Sequence, residues 1–217
     1  MILPQTYGAT LLLIILTMLC WGSWANTFKL AGKWRFELFY YDYSVGVLIA
    51  ATIYALTFGN FGIEGFTFVD DLMHAGKRQI FFGVLGGVVF NLANMLLVAA
   101  ISVAGLAVAF PVGIGLALVI GVIWNYILNP QGNPVLLFTG AGIVVGAIIV
   151  DALAYRALEG SKAAQATRKV TGKGIVLSLV SGVLMGSFFP LVEMGKASEL
   201  GLGPYAIGFV FAIGVFL

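Results

Sequence analysis

The chain has 217 residues, of which 61% are hydrophobic and 9% charged, with a net charge of +2. A soluble domain needs far more charge on its surface, so this composition indicates a surface solvated by lipid. The small net charge, without a basic stripe, argues against nucleic acid as a partner. The single cysteine, Cys20, and the single histidine, His74, exclude an internal disulfide and a multi-cysteine or His-rich metal site, and we expect no cofactor.

Seven apolar runs predict an all-α polytopic membrane protein, since a helical span needs about 20 mostly apolar residues. The predicted spans are Ala9–Phe28, Tyr41–Phe58, Ile80–Ile101, Leu106–Leu128, Val135–Leu153, Gly174–Met194 and Tyr205–Leu217. The first nine residues carry no Lys or Arg, and no small-residue cleavage site follows the first run. We therefore expect that run to be a retained helix and not a signal peptide.

The connections between the spans differ in length and charge. Residues 59–78 are polar and predict a loop with one short interfacial turn. No charged residue occurs from 79 to 150, which suits three crossings with tight links at Ser102–Gly105 and Asn129–Pro134. The last run, Tyr205–Leu217, is too short to cross a bilayer. We expect the chain to be a fragment of a longer protein, and the alternative is a membrane partner that completes this seventh helix.

The distribution of Lys and Arg predicts the orientation. With the N-terminus outside, the inside loops hold Lys29, Lys33, Arg35 and the five basic residues of 154–173, and the outside loops hold only Lys77, Arg78 and Lys196. We therefore expect an N-terminus outside the cell or inner membrane and a cytoplasmic central loop.

Glycine pairs four residues apart occur within several apolar runs, at Gly83/Gly87, Gly142/Gly146 and Gly182/Gly186. Such small residues let helix backbones approach closely in lipid. The pairs predict many close helix contacts in a compact bundle, and the alternative for each is that glycine is simply common in membrane helices.

A weak internal repeat relates the first and sixth spans. Aligning Gly22 with Gly186 brings CWGSWANTFKLAGK, residues 20–33, against GSFFPLVEMGK, residues 186–196. Because the two copies lie on the first and sixth spans, an odd offset of five, the second copy enters the membrane from the opposite side, as in the inverted repeats of many secondary transporters. The predicted parts are a first five-helix repeat at 1–153, a basic central loop at 154–173, and the start of a second repeat at 174–217. Chance similarity between two glycine-rich helices is the alternative.

Carboxamides inside the spans are candidates for solute binding, because an unpartnered amide in hydrocarbon costs several kcal/mol. Asn91 and Asn94 lie three residues apart on one helical face. Paired carboxamides suit the hydroxyls of a sugar or the amide edge of a ureide or nucleobase. The four candidates are Asn26, Asn91, Asn94 and Asn125, and for each the alternative is a hydrogen bond that holds two helices together.

Aromatic side chains and one acidic residue complete the candidate site. Trp21 and Trp24 lie deeper than an interfacial belt would place them, and Phe188 aligns with Trp24 in the repeat. Phe110 precedes Pro111, which with Pro190 predicts weakened helices of the kind that mark binding sites or hinges. Glu193 follows Pro190 and is the candidate to carry a coupled proton. Plain packing is the alternative for the aromatic residues.

Enzyme signatures are missing from the sequence. It contains neither a G-x-S-x-G nucleophile elbow nor a G-x-x-x-x-G-K-[ST] phosphate loop. We therefore expect a protein that is not an enzyme.

Two parts of the sequence resemble the ureide permease family and the related glucose/ribose and rhamnose porters of the drug/metabolite transporter superfamily. The first is CWGSWANTFKL, followed by Tyr41-Asp-Tyr. The second is residues 86–130, GGVVFNLANMLLVAAISVAGLAVAFPVGIGLALVIGVIWNYILNP. The resemblance implies ten helices in two inverted halves, a central site lined by both, and proton-coupled uptake of a small polar solute. Plant ureide permeases have a long central loop, whereas residues 154–173 are short, which shifts the expectation toward a sugar or an unknown solute.

We expect, on these grounds, an inverted-repeat helical bundle in which seven of ten transmembrane helices are present. Its function would be secondary transport of a small polar solute, a sugar or a ureide or nucleobase-like compound, by alternating access with proton coupling. Two alternatives remain, a metabolite exporter of the same superfamily and a non-transporting structural subunit of a larger membrane complex.

Overall fold

The computed structural model describes residues 2–30, 34–61, 66–162 and 172–217, and all regular secondary structure in these ranges is α-helical. The helices are α1 (Tyr7–Leu30), α2 (Phe36–Leu56), α3 (Phe68–His74), α4 (Lys77–Ala104), α5 (Leu106–Leu128), α6 (Pro134–Lys162), α7 (Gly172–Lys196) and α8 (Pro204–Phe216). The predicted order of the elements is therefore confirmed, with α3 as the short turn expected between the second and third spans.

Four helical segments of the described ranges are long and apolar enough to cross a membrane: Leu38–Leu56, Lys77–Ala104, Val108–Leu128 and Gly172–Lys196. Shorter apolar segments occupy Tyr7–Trp21, Pro134–Val150 and Pro204–Phe216. The all-α polytopic membrane class predicted from composition is thereby confirmed.

Local residue chemistry explains where the helices begin and end. Gly105 alone links α4 to α5, with a φ of 81° that a residue with a side chain rarely adopts. At the start of α6, the Asn133 side chain accepts hydrogen bonds from the backbone N–H groups of Val135, at 2.9 Å, and Leu136, at 3.4 Å. Both links are tight, as the long uncharged stretch predicted.

Helix α6 continues beyond the predicted end of its span at Leu153 to Lys162. The start of the predicted central loop is therefore helical, because Ala, Leu, Arg and Glu in this stretch are strong helix formers. Residues 163–171 of that loop lie outside the described part of the chain.

Helix α7 is the centre of the bundle and packs mainly between α4 and α5. It runs antiparallel to α4, since the Ser181 hydroxyl donates to the Ala93 carbonyl oxygen at 2.8 Å while Gly195 lies against Gln79. Helix α8 packs against α4 and α2. Tyr41 of α2 meets Phe216 of α8 with ring centroids 6.2 Å apart, so these two helices are also antiparallel.

Glycines make several of these close contacts possible. A Cβ at Gly182 would lie 2.7 Å from the Gly113 carbonyl oxygen, and one at Gly83 would lie 2.8 Å from a Val210 methyl. Gly142 and Gly146 have no atom of another described residue within 4 Å of such a Cβ. The expectation of close packing thus holds for two pairs and is wrong for Gly142/Gly146, because α6 contacts the bundle mainly through α5.

Candidate functional site

Four aromatic rings from four helices meet inside the bundle, and we call them the aromatic cluster: Trp21 (α1), Phe90 (α4), Phe188 (α7) and Phe211 (α8). Phe90 is at its centre and is 2% exposed. Its ring centroid lies 5.5 Å from Trp21, 5.1 Å from Phe188 and 5.4 Å from Phe211. The Trp21 and Phe188 contacts are edge-to-face, a favourable geometry for aromatic pairs. Two predicted site residues, Trp21 and Phe188, are therefore brought together through a third ring.

Asn91 follows Phe90 on α4 and has an unsatisfied polar atom. Its Oδ1 is buried and accepts no hydrogen bond from any residue that the structure describes. Leaving such an acceptor without a partner costs about 1–3 kcal/mol. A buried carbonyl oxygen on α4 is thus available to a donor that is not among the described residues.

Asn94 has a different role from Asn91, although both lie on one stripe of α4. It is 6% exposed, and its Nδ2 donates to the Tyr40 hydroxyl at 3.2 Å. Tyr40 is 3% exposed and its ring lies 5.4 Å from that of Tyr43. This contact is the interhelical hydrogen bond that was the alternative reading for the asparagines, and it ties α4 to α2.

Asn125 lies on α5 one turn after Gly121, on the same face. Its Oδ1 is buried and has no hydrogen-bond partner among the described residues. A Cβ at Gly121 would lie 3.4 Å from the carbonyl oxygen of Gly186 on α7. Pro190 lacks the N–H that would bond this carbonyl in a regular helix. The Gly186 carbonyl therefore lacks its usual helical donor at the α5–α7 contact, and Asn125 lies one turn further along α5.

Both prolines lie inside helices that continue past them, Pro111 in α5 and Pro190 in α7. The helices are therefore not interrupted at these positions. Proline within lipid-facing helices is tolerated where neighbours re-satisfy the freed backbone groups. The consequence is local, a missing N–H donor and not a gap between two half-helices.

The remaining predicted site residues are not members of the aromatic cluster, or their side chains lie outside the part of the chain that the structure describes. Phe110 is 39% exposed on α5. Glu193 pairs with Lys196 one turn later on α7, at 2.8 Å, and the side chains are 18% and 44% exposed. The side chains of Trp24 and Asn26 lie outside the described residues.

Several residues of this region were not among the sequence candidates. Phe90, Phe211, Tyr40 and Ser181 have no motif of their own, because a phenylalanine or serine inside an apolar run looks the same whether it faces lipid or a neighbouring helix. The stripe of small residues Gly83, Gly87 and Asn94 on α4 was a usable signal, since it marks the face on which Phe90 also lies. Helix partners across the bundle cannot be deduced from one sequence.

The described residues include two kinds of group that sites for small polar solutes use. Aromatic rings offer flat apolar surface, and the buried oxygens of Asn91 and Asn125 offer acceptors for N–H or O–H groups. Among the residues that the structure describes, no three His, Cys, Asp or Glu side chains come together as a metal site would require.

Comparison with known proteins agrees with a transporter. A family model described as ureide permease matches residues 39–174, more than half of the chain. Ureide permease 2 of Arabidopsis thaliana is 29% identical over 163 residues, covering 72% of this chain and 41% of that protein. The probable ureide permease A3 of Vigna unguiculata is 29% identical over 154 residues, covering 68% of this chain and 41% of that protein.

A third relative, ureide permease 5 of Arabidopsis thaliana, is 26% identical over 160 residues, covering 70% of this chain and 38% of that protein. The chain thus spans about two fifths of the length of the curated relatives it matches. No solved structure matches the chain. The relatives are permeases by name, which agrees with the expectation of a membrane transporter that is not an enzyme.

Proposed function

This chain belongs to the ureide permease family, and from that membership we propose that it forms part of a secondary transporter for a ureide-like solute. The solute is small, polar and rich in N–H donors, such as allantoin or uracil. The single observation that carries the choice of solute is the buried Oδ1 of Asn91, which has no hydrogen-bond partner among the described residues. A ureide offers both a flat face for the rings and N–H groups for this oxygen.

The proposed solute site contains the aromatic cluster and the two unpaired carboxamides, Asn91 and Asn125. Trp24, Asn26 and Phe110 remain candidates from the sequence. Asn94 supports the site indirectly, because its hydrogen bond with Tyr40 fixes the face of α4 that carries Asn91. Trp21 is 51% exposed while its neighbour Phe90 is 2% exposed, so the α1 side is the open side of the cluster.

Transport proceeds by alternating access between two inverted repeats, with the N-terminus outside and residues 154–173 cytoplasmic. The antiparallel contact of α2 with α8 supports this architecture, because α2 and α8 are the second members of the proposed repeats. Binding at a repeat interface is the usual design of such transporters.

A proton gradient drives uptake, and Glu193 carries the proton. Its carboxylate lies near the end of α7, 2.8 Å from Lys196 Nζ. Replacement by glutamine would remove the ionisable group and leave the side-chain size unchanged.

Uptake into proteoliposomes tests solute and coupling together. Labelled allantoin, uracil and glucose are supplied with and without an inward proton gradient. We expect saturable uptake of the two N–H-rich solutes, faster with the gradient, and gradient dependence lost in Glu193→Gln. Glu199→Gln, in the exposed turn after α7, is the matched control and should retain gradient dependence.

Other outcomes would favour the alternatives. Uptake of glucose alone would assign a sugar, and gradient-driven efflux alone would indicate an exporter. A protein that moves none of the three solutes would favour a structural subunit. Unchanged coupling in Glu193→Gln would remove this carboxylate from the mechanism.

A further inference from the structure

The short helix α3 and its flanks lie across the turn that joins α7 to α8. We call residues 66–76 the strap and residues 197–203 the turn beneath it. The backbone N–H of Gly203 donates to Asp71 Oδ2 at 2.8 Å, and that of Gly76 donates to the Leu200 carbonyl oxygen at 3.1 Å. Next to the strap, Gln79 Nε2 donates to Ser198 Oγ at 3.0 Å. Polar contacts therefore join two segments more than 100 residues apart in the chain.

A buried hydrophobic cluster lies under the strap. Phe68 is 5% exposed, and its ring meets that of Phe209 edge-to-face at 5.4 Å. Leu202 of the turn is 2% exposed and belongs to the same buried cluster, with Ala55 and Ala206. Because Leu202 shares this cluster with Phe68 of the strap, we expect that release of the strap raises the accessibility of the Leu202 side chain.

The strap is ordered by the contacts it makes. A seven-residue helix is too short to be stable alone in water. Thr67 and Asp70 form a capping box that begins α3, with the Thr67 hydroxyl donating to Asp70 Oδ2 at 2.6 Å. This cap organises α3, whereas Asp71 attaches it to the turn, so the two carboxylates have separable roles.

We propose that the strap is a releasable latch that closes one face of the bundle and must detach from the turn when that face opens to solute. This inference rests on the proposed transport function. In alternating access, contacts that join the two repeats on one face have to break when that face opens. The strap belongs to the first repeat and the turn to the second, and their contacts lie at a single end of the helices.

Cysteine labelling tests the latch without requiring transport. In a Cys20→Ser background, Leu202→Cys is reacted with a hydrophilic maleimide in nanodiscs, where both faces are accessible. We expect slow labelling with Asp71 intact and labelling faster by about tenfold or more in Asp71→Ala, because a hydrogen bond to a charged acceptor is lost. Asp71→Asn keeps an acceptor for the Gly203 N–H and should label at close to the slow rate.

Leu200→Cys, on the same turn, is the matched control. Leu200 is 54% exposed, so its labelling should be fast in every variant. Equal labelling of Leu202→Cys with Asp71, Ala and Asn would overturn the latch.

A disulfide between Asp71→Cys and Gly203→Cys tests whether release is needed for function. Allantoin uptake should stop when the bridge is oxidised and return when it is reduced. Uptake that continues with the bridge closed would overturn the latch and leave the transport proposal intact. If no variant takes up allantoin but Leu202→Cys is labelled as expected, the proposal of transport would be refuted. The inference that the strap detaches from the turn would still stand.

Discussion

At the scale of single residues, Asn91 and Asn94 show that spacing on a helix does not decide function. Both lie on α4 within one turn, yet Asn94 is bonded to Tyr40 at 3.2 Å whereas the Oδ1 of Asn91 has no partner among the described residues. The sequence predicts that each is either a ligand or an interhelical bond. Which of the two roles an asparagine takes depends on the residue of the neighbouring helix that faces it. The local sequence around the asparagine does not reveal that residue.

Substitution by leucine should separate these two roles. Asn94→Leu removes the buried hydrogen bond from Asn94 to the Tyr40 hydroxyl and should destabilise the protein by about 0.5–1.5 kcal/mol. Asn91→Leu removes an atom that is already unsatisfied, so its stability should change by less, while the KM for allantoin rises. Thermal melting in detergent and uptake kinetics measure both effects, and equal loss of stability in the two variants would contradict the assignment.

The strap offers a second contrast, in the titration of Asp70 and Asp71. The Thr67 hydroxyl and then the Thr67 backbone N–H donate to Asp70 and hold the pKa of its carboxyl below the ordinary 3.8. Burial raises the pKa of Asp71 above 3.8, an effect partly offset by the N–H of Gly203. The stabilisation from Asp70 is therefore present above pH 3.8 and lost as pH falls through its lowered pKa. The contribution of Asp71 is present below pH 3.8 and lost as pH rises through its raised pKa.

Asp71→Asn should therefore gain stability relative to the wild type as pH rises. The amide keeps the acceptor for Gly203 and removes the charge whose burial is unfavourable. Melting temperatures of both proteins between about pH 3 and pH 7 give the measurement, a range that spans the ordinary aspartate pKa. A difference that stays constant over this range would show that Asp71 is not perturbed in the folded protein.

At the scale of whole elements, most of the architecture follows from composition. The predicted fourth span, Leu106–Leu128, coincides with α5, and the other spans differ from their helices mainly at the ends. Turn residues such as Gly105 and Asn133 locate the links, because their backbone and capping chemistry is local. The meeting of Trp21, Phe90, Phe188 and Phe211 could not be predicted, since it depends on how α1, α4, α7 and α8 pack.

Glycine substitutions test which helix faces are packed. Gly182→Ala places a methyl 2.7 Å from the Gly113 carbonyl oxygen and should destabilise the α5–α7 contact by roughly 1–3 kcal/mol. Gly142→Ala meets no described atom within 4 Å and should be neutral or stabilise α6 by about 0.5–1 kcal/mol. The two melting temperatures should therefore move in opposite directions or differ clearly, and a larger loss in Gly142→Ala would mean that α6 is packed on that face.

At the scale of the whole molecule, the region that matches the family model and the aromatic cluster cover different parts of the chain. The match over residues 39–174 covers most of α2 and all of α3 to α6, and Phe90 is the one member of the aromatic cluster inside it. The cluster therefore joins the matched region to the start of the proposed second repeat. The family is recognisable from motifs in the first repeat, and Trp21 and Phe188 are sequence candidates, whereas Phe90 and Phe211 of the aromatic cluster could not be identified from the sequence.

The most direct test of the central claim is allantoin counterflow in proteoliposomes, because exchange across a loaded vesicle needs no proton gradient. Vesicles filled with unlabelled allantoin should accumulate labelled allantoin transiently, and Asn91→Leu should shift the half-saturating concentration upward by about tenfold, the cost of one lost hydrogen bond. Glu199→Gln should behave like the wild type. Labelled allantoin that enters loaded and empty vesicles at the same rate would contradict transport of a ureide by this protein.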